Sequence, residues 1–234
     1  MRPRGLGLPS LCAVCQGWGR RRLCEVCVGR FAGSMSRCRR CALEVPDGVA
    51  ICGACLTDPP PYRHTLAAGS YAYPLDRLIT GFKFHAALDL APAFVDLVVR
   101  AHRLGDHAPP SLLLAVPLSA QRLRERGYNQ AWELARRLGP AFGCMADSTL
   151  LLRIRDTAHQ LAFVPEQRAA NVRGAFAVEP RRASELRGRH VTLVDDVMTT
   201  GATAAEVARV VLAAGAASVD VWVVARTPRP GDAG

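Results

Sequence analysis

Eight of the nine cysteines fall in the first quarter of the chain as four Cys-x-x-Cys pairs: Cys12/Cys15, Cys24/Cys27, Cys38/Cys41 and Cys52/Cys55, separated by eight, ten and ten residues. Two residues between thiols let both sulfurs face one ion from a tight turn, and two such knuckles complete a tetrahedral Cys₄ zinc site. Redox or disulfide pairs, and an iron–sulfur cluster, are the competing chemistries. Four regular knuckles with no secretion signal favour zinc. Large apolar side chains are scarce here, chiefly Leu11, Leu23, Phe31, Leu43, Ile51 and Leu56, too few to offset chain entropy without a cross-link. The region 1–58 is therefore expected to fold as a double zinc ribbon around two structural zinc ions. Sequential pairing of the knuckles gives two successive ribbons and interleaved pairing gives one cross-braced module; the spacing allows both.

Pro59-Pro60-Pro61 cannot continue a helix or central strand. A linker is expected over 59–69, followed by a second domain over 70–230. Its pattern alternates. A helix is expected from Pro74, another over 86–104, a buried strand over 111–116, a helix through Tyr128 to Leu138, a strand over 190–194, a helix ending at Gly215, and a strand over 219–225. Strand–helix–strand order predicts an α/β fold with a parallel sheet, in which ligands bind at the carboxyl ends of strands.

The run after the 190–194 strand is Asp195-Asp196-Val197-Met198-Thr199-Thr200-Gly201-Ala202-Thr203. Adjacent carboxylates at a strand end can hold vicinal ribose hydroxyls and, through water, magnesium. Three hydroxyls, backbone N–H groups and a glycine before a helix suit a phosphate. Together they read as a sugar-phosphate site.

This run resembles the phosphoribosyl-pyrophosphate (PRPP) motif of type I phosphoribosyltransferases. Lys83-Phe84, Val116-Pro117-Leu118, Arg124 to Gln130 (Arg-Glu-Arg-Gly-Tyr-Asn-Gln), the Arg153–Gln160 stretch, Asn171 and the front knuckles extend the likeness. From about Cys12 to Arg226 the chain resembles the ComF family, a group associated with natural competence that includes GntX-like members. The resemblance implies that Asp195 and Asp196 contact the ribose, that residues 199–203 cradle the 5′-phosphate, and that magnesium accompanies PRPP. It also implies a pyrophosphate loop at Pro117 to Gln121 and a hood over about 151–176. Candidates there are Pro117, Leu118, Arg126, Arg155, Gln160, Arg168 and Asn171. The departure is that Leu118 to Gln121 carries no charge before Arg122. Lys83 is a further phosphate candidate on the same grounds.

Two functions are expected to compete. One is a glycosyltransferase that binds PRPP and passes ribose 5-phosphate to an acceptor the sequence does not reveal. The other is a non-catalytic factor in DNA uptake whose ribbons and basic surface hold single-stranded DNA or competence proteins. No run of about eighteen apolar residues suits membrane insertion, and a cytoplasmic location is expected. Taken alone, the net charge of +10, with Lys83 the single lysine among thirty basic residues, favours nucleic acid. Residues 1–64 hold ten arginines and four acids, but eight thiolates with two Zn²⁺ would remove four charges, leaving about +2 there. The basic front is thus largely compensation for its own metal sites.

Overall fold

The structure, a computed structural model, describes residues 9–33, 35–105, 107–155 and 172–228. Its centre is a five-stranded parallel sheet of β3 (Thr65–Ser70), β4 (Leu112–Ala115), β5 (Met145–Asp147), β8 (His190–Met198) and β9 (Ser218–Arg226). These strands lie in the order β3-β9-β8-β4-β5. The central strands are apolar on both faces, with Val191, Leu193, Val219, Val221, Trp222 and Val223 all buried, as a parallel sheet covered on both sides requires.

Helices α3 (Leu75–Phe84) and α4 (Ala91–Leu104) lead from β3 to β4, α5 (Ala120–Arg126) and α6 (Gln130–Phe142) from β4 to β5, and α7 (Ala202–Ala213) from β8 to β9. The crossings β3 to β4 and β4 to β5 move in one direction across the sheet, whereas β8 to β9 moves back. Right-handed crossovers therefore put α4 and α6 on one face and α7 on the other. The reversal falls between the neighbouring strands β4 and β8, so a crevice opens at their carboxyl ends. A short antiparallel pair, β6 (Leu151–Arg153) with β7 (Phe176–Val178), stands beside the sheet.

The front region repeats one local design. A hairpin of β1 (Ser10–Leu11) and β2 (Trp18–Gly19) carries the first knuckle, and a bridge between Arg37 and Glu44 carries the third. Cys24 and Cys52 each sit immediately before a short helix, α1 (Glu25–Phe31) and α2 (Gly53–Thr57), which place Cys27 and Cys55. The two modules are not separate from the sheet domain: Leu23 and Ala42 belong to its hydrophobic core.

The expected linker is corrected. Residues 59–69 include most of edge strand β3, whose Thr65 N–H donates to Arg39 O at 2.9 Å and whose Thr65 hydroxyl donates to Arg40 O at 2.6 Å. Thr-Leu-Ala-Ala-Gly-Ser lacks a run of bulky residues, and it is buried because the second cysteine module and α4 cover it.

Candidate metal clusters and sugar-phosphate site

The knuckles pair sequentially. Cys12, Cys15, Cys24 and Cys27 form one group and Cys38, Cys41, Cys52 and Cys55 the other, with the four sulfurs of each within 4.8 Å of one another. Zn–S bonds of about 2.3 Å place tetrahedral sulfurs about 3.8 Å apart. Cys15 Sγ to Cys24 Sγ is 3.8 Å and Cys41 Sγ to Cys52 Sγ is 3.7 Å, so both donor sets fit zinc. Backbone amides support them, Cys24 N–H donating to Cys12 Sγ at 3.5 Å and Cys52 N–H to Cys38 Sγ at 3.3 Å. Burial raises the Cys12 and Cys38 thiols, but these and neighbouring amides outweigh it and bring them down to about 6 and about 7. Burial and the adjacent sulfurs push Cys27 up to about 12 and Cys55 up further. Without a cation each group holds only part of its charge; a divalent ion relieves that repulsion.

The acidic pair lies inside β8, which extends four residues past the expected strand. Asp195 lines a small cavity of about 50 Å³ with Val197 and residues Thr199 to Ala204. Its Oδ1 accepts the Asp196 N–H at 2.8 Å. Burial first, and the Asp196 charge second, raise its pKa to about 7. Asp196 is 2% exposed and pairs with Lys83 Nζ at 3.0 Å, yet its Oδ2 is buried with no hydrogen-bond partner. An orphaned carboxylate oxygen fits a hydroxyl or metal-bound water supplied by a ligand.

After β8 the chain turns through Thr199-Thr200-Gly201 into α7. Gly201 has φ +84°, and its α-carbon faces the Tyr62 hydroxyl, which would stand 3.0 Å from an added Cβ. No side chain reaches across Gly201 to cap the helix; Thr200 Oγ1 accepts the Ala202 N–H at 3.3 Å.

Across the crevice, Pro117 and Leu118 follow β4, but the expected loop to Gln121 is shorter. Ser119 caps α5, accepting the Arg122 N–H at 3.3 Å, and the helix starts at Ala120. The Arg-Gly-Tyr-Asn-Gln element is a corner brace. Gly127 ends α5 at φ +80°. Tyr128 donates its hydroxyl proton to Phe82 O. Asn129 caps α6 through Ala131 N–H at 2.9 Å and donates Nδ2 to Val116 O at 3.0 Å. Arg126 stacks its guanidinium 5.1 Å from the Phe84 ring centre and reaches Gln130 Oε1. With Lys83, His85, Arg122 and Tyr128 it lines a cavity of about 240 Å³.

Arg155 is exposed at the end of the β6–β7 pair, where its Nη1 donates to Arg173 O at 3.5 Å. Gln160, Arg168 and Asn171 lie outside the described residues. Sequence reasoning missed the Lys83–Asp196 pair and the part played by Tyr62. The sole lysine of an arginine-rich chain was the available signal for the first.

A parallel sheet with a switch-point crevice, an acidic strand end and a glycine-centred turn defines a phosphoribosyl transferase type of domain, and the phosphoribosyl transferase domain family matches residues 125–232. Relatives align over almost the whole chain. DNA utilization protein YhgH of Salmonella typhimurium is 34% identical over 232 residues, covering 95% of this chain and 99% of the relative. The protein of that name in Escherichia coli K12 is 35% identical with the same coverage. Competence protein F of Haemophilus influenzae is 30% identical over 222 residues, covering 92% and 96%. The chain belongs to this competence protein F (ComF) family. Among the described residues no helix is long and apolar enough to cross a membrane.

Proposed function

We propose that the protein binds PRPP with magnesium in the β4–β8 crevice and transfers its ribose 5-phosphate group to an acceptor. The observation that carries this reading is the orphaned, buried Asp196 oxygen beside a glycine-centred turn at the end of β8. In this reading Asp195 and Asp196 accept hydrogen bonds from the ribose hydroxyls, and the amides and hydroxyls of Thr199 to Thr203 receive the 5′-phosphate. Lys83 neutralises Asp196 in the free protein, and Lys83 and Arg126 offer charge to the pyrophosphate from the neighbouring cavity. The bond from the anomeric carbon to pyrophosphate oxygen breaks with its electron pair leaving on pyrophosphate. The acceptor's lone pair then forms the new bond and the acceptor sheds a proton. Magnesium would supply charge neutralisation on the departing pyrophosphate. The two aspartates would stabilise the positive charge on the sugar.

The test is magnesium-dependent pyrophosphate release on adding PRPP with a panel of bases or cell extract. Release that is lost in the Asp195→Asn/Asp196→Asn double variant is expected. Absence of release across bases and extract would overturn transfer.

A second reading has its own observation. A groove of about 910 Å³ between the first cysteine module and α4 is lined by Arg20, Arg21, Arg22, Arg100 and Arg103 against Glu25, Asp89 and Asp96. The surplus of cations suits single-stranded DNA, and relatives are named for competence and DNA utilization. If DNA tracks this groove, Arg20→Ala with Arg103→Ala lowers the salt-dependence slope by about 0.7 per lost phosphate contact. An unchanged slope would remove the groove as the site.

A further inference from the structure

Arg226 ends β9, opposite Met198 in the β8 register, and is 5% exposed. Its Nε donates to Cys41 O at 2.8 Å. Its Nη1 donates to Met198 O at 3.1 Å, to Thr227 O at 2.8 Å and to Thr199 O. One buried guanidinium therefore joins the second cysteine module to the turn that precedes Gly201. Burial disfavours its charge, and the Cys41 and Cys55 sulfurs and Tyr62 act in the opposite direction. A zinc ion with four thiolates carries a net charge of about −2, so the loaded second cluster is the natural counter-ion for this buried cation.

The consequence for the turn follows from peptide geometry. In a trans peptide the carbonyl and the next N–H point in opposite directions. Holding the Met198 and Thr199 carbonyls toward Arg226 turns the Thr199 and Thr200 N–H groups away from it. Tyr62, 3% exposed, packs over Gly201, its hydroxyl 3.0 Å from where a Cβ would stand. Among the described residues no hydrogen bond joins the first cluster's module to this turn; Leu23 of that module packs into the core instead. The module also meets the sheet domain through partly exposed pairs, Arg22–Asp89 at 2.6 Å and Arg21–Asp96 at 3.6 Å, on the α4 side.

We propose that Arg226 is a positioning residue through which the second metal cluster, and not the first, sets the conformation of the phosphate turn. The consequence for PRPP affinity rests on the function proposed above; the effect on the turn does not. The test compares Arg226→Met, Arg226→Lys and Cys15→Ser with the wild type in the zinc-loaded full chain. Three readouts are taken: zinc content, hydrogen exchange of the 198–206 peptide without ligand, and PRPP–magnesium affinity by calorimetry. Arg226→Met is expected to keep two zinc ions, to speed exchange of the turn, and to weaken PRPP binding by about tenfold. Arg226→Lys, which keeps charge but not the planar fork, should recover part of both effects. Cys15→Ser should lose one zinc and leave turn exchange unchanged. Unchanged exchange in Arg226→Met with both zinc ions retained would overturn the proposal, as would turn exchange that responds equally to Cys15→Ser. If Arg226→Met does not fold, Arg226→Lys carries the same comparison. A wild type that binds no PRPP would refute the sugar-phosphate reading while the exchange results still decide this one.

Discussion

Replacing Asp195 by Asn should make the free protein more stable at alkaline pH. The Asp195 carboxyl is raised from 3.8 to about 7, by burial first and by Asp196 second. A folded-state pKa above the unfolded one means that the native state holds the proton more tightly. Stability from this group is then fully present below pH 3.8 and is lost as pH rises through about 7. The whole difference corresponds to at most about 4 kcal/mol, and the part that falls between about pH 6 and about pH 8 is about 1.4 kcal/mol. Asn keeps the acceptor used by the Asp196 N–H, seen at 2.8 Å, and carries no charge. Denaturant unfolding of wild type and Asp195→Asn at both pH values is the assay. Taking the difference between the two proteins cancels the pH dependence of the metal sites. The variant's advantage should grow by about 1.4 kcal/mol from the lower pH to the higher. A constant difference, or a variant that loses stability as pH rises, would refute the burial argument.

Native mass spectrometry should find two zinc ions per chain, and Cys52→Ser should remove the second while leaving the first, since the four-sulfur groups are sequential; loss of both together would point to a shared site. Gly201→Ala should cost about 1–2 kcal/mol of stability in thermal unfolding, because the backbone sits at φ +84° with the Tyr62 hydroxyl in the way; an unchanged melting temperature would contradict the geometry. Lys83→Met leaves the buried Asp196 carboxylate, 3.0 Å from its partner in the wild type, without a countercharge. It should destabilise by about 2 kcal/mol, with recovery when Asp196→Asn is added. Equal loss in the single and double variants would show that the pair is not coupled.

Much of this was legible because continuous apolar runs announce buried parallel strands: β4, β8 and β9 appear where 111–116, 190–194 and 219–225 were expected. β3 was not legible, since its small residues are buried by a neighbouring module rather than by their own bulk. Met145–Asp147 is too short to show a period. The cysteine knuckles were plain, but their pairing is a three-dimensional fact that spacing leaves open. The Arg-Gly-Tyr-Asn-Gln element stood out as a motif; its work as a corner brace between α3, β4 and α6 depends on partners such as Phe82, 46 residues away from Tyr128. Arg226 was hidden for the same reason, its carbonyl partner Cys41 lying 185 residues earlier. The merged core also bears on experiment: deleting residues 1–58 would strip Leu23 and Ala42 from the sheet domain. Point substitutions in the arginine groove are the cleaner test of DNA binding.

In the proposed function the β4–β8 crevice holds a phosphorylated ribose through the two aspartates of β8. Calorimetric titration of the zinc-loaded protein with PRPP and magnesium tests it directly, run beside Asp195→Asn/Asp196→Asn. Saturable binding by the wild type that disappears in the double variant is the predicted result. A wild type that shows no binding, or a double variant that binds as well as the wild type, would contradict it.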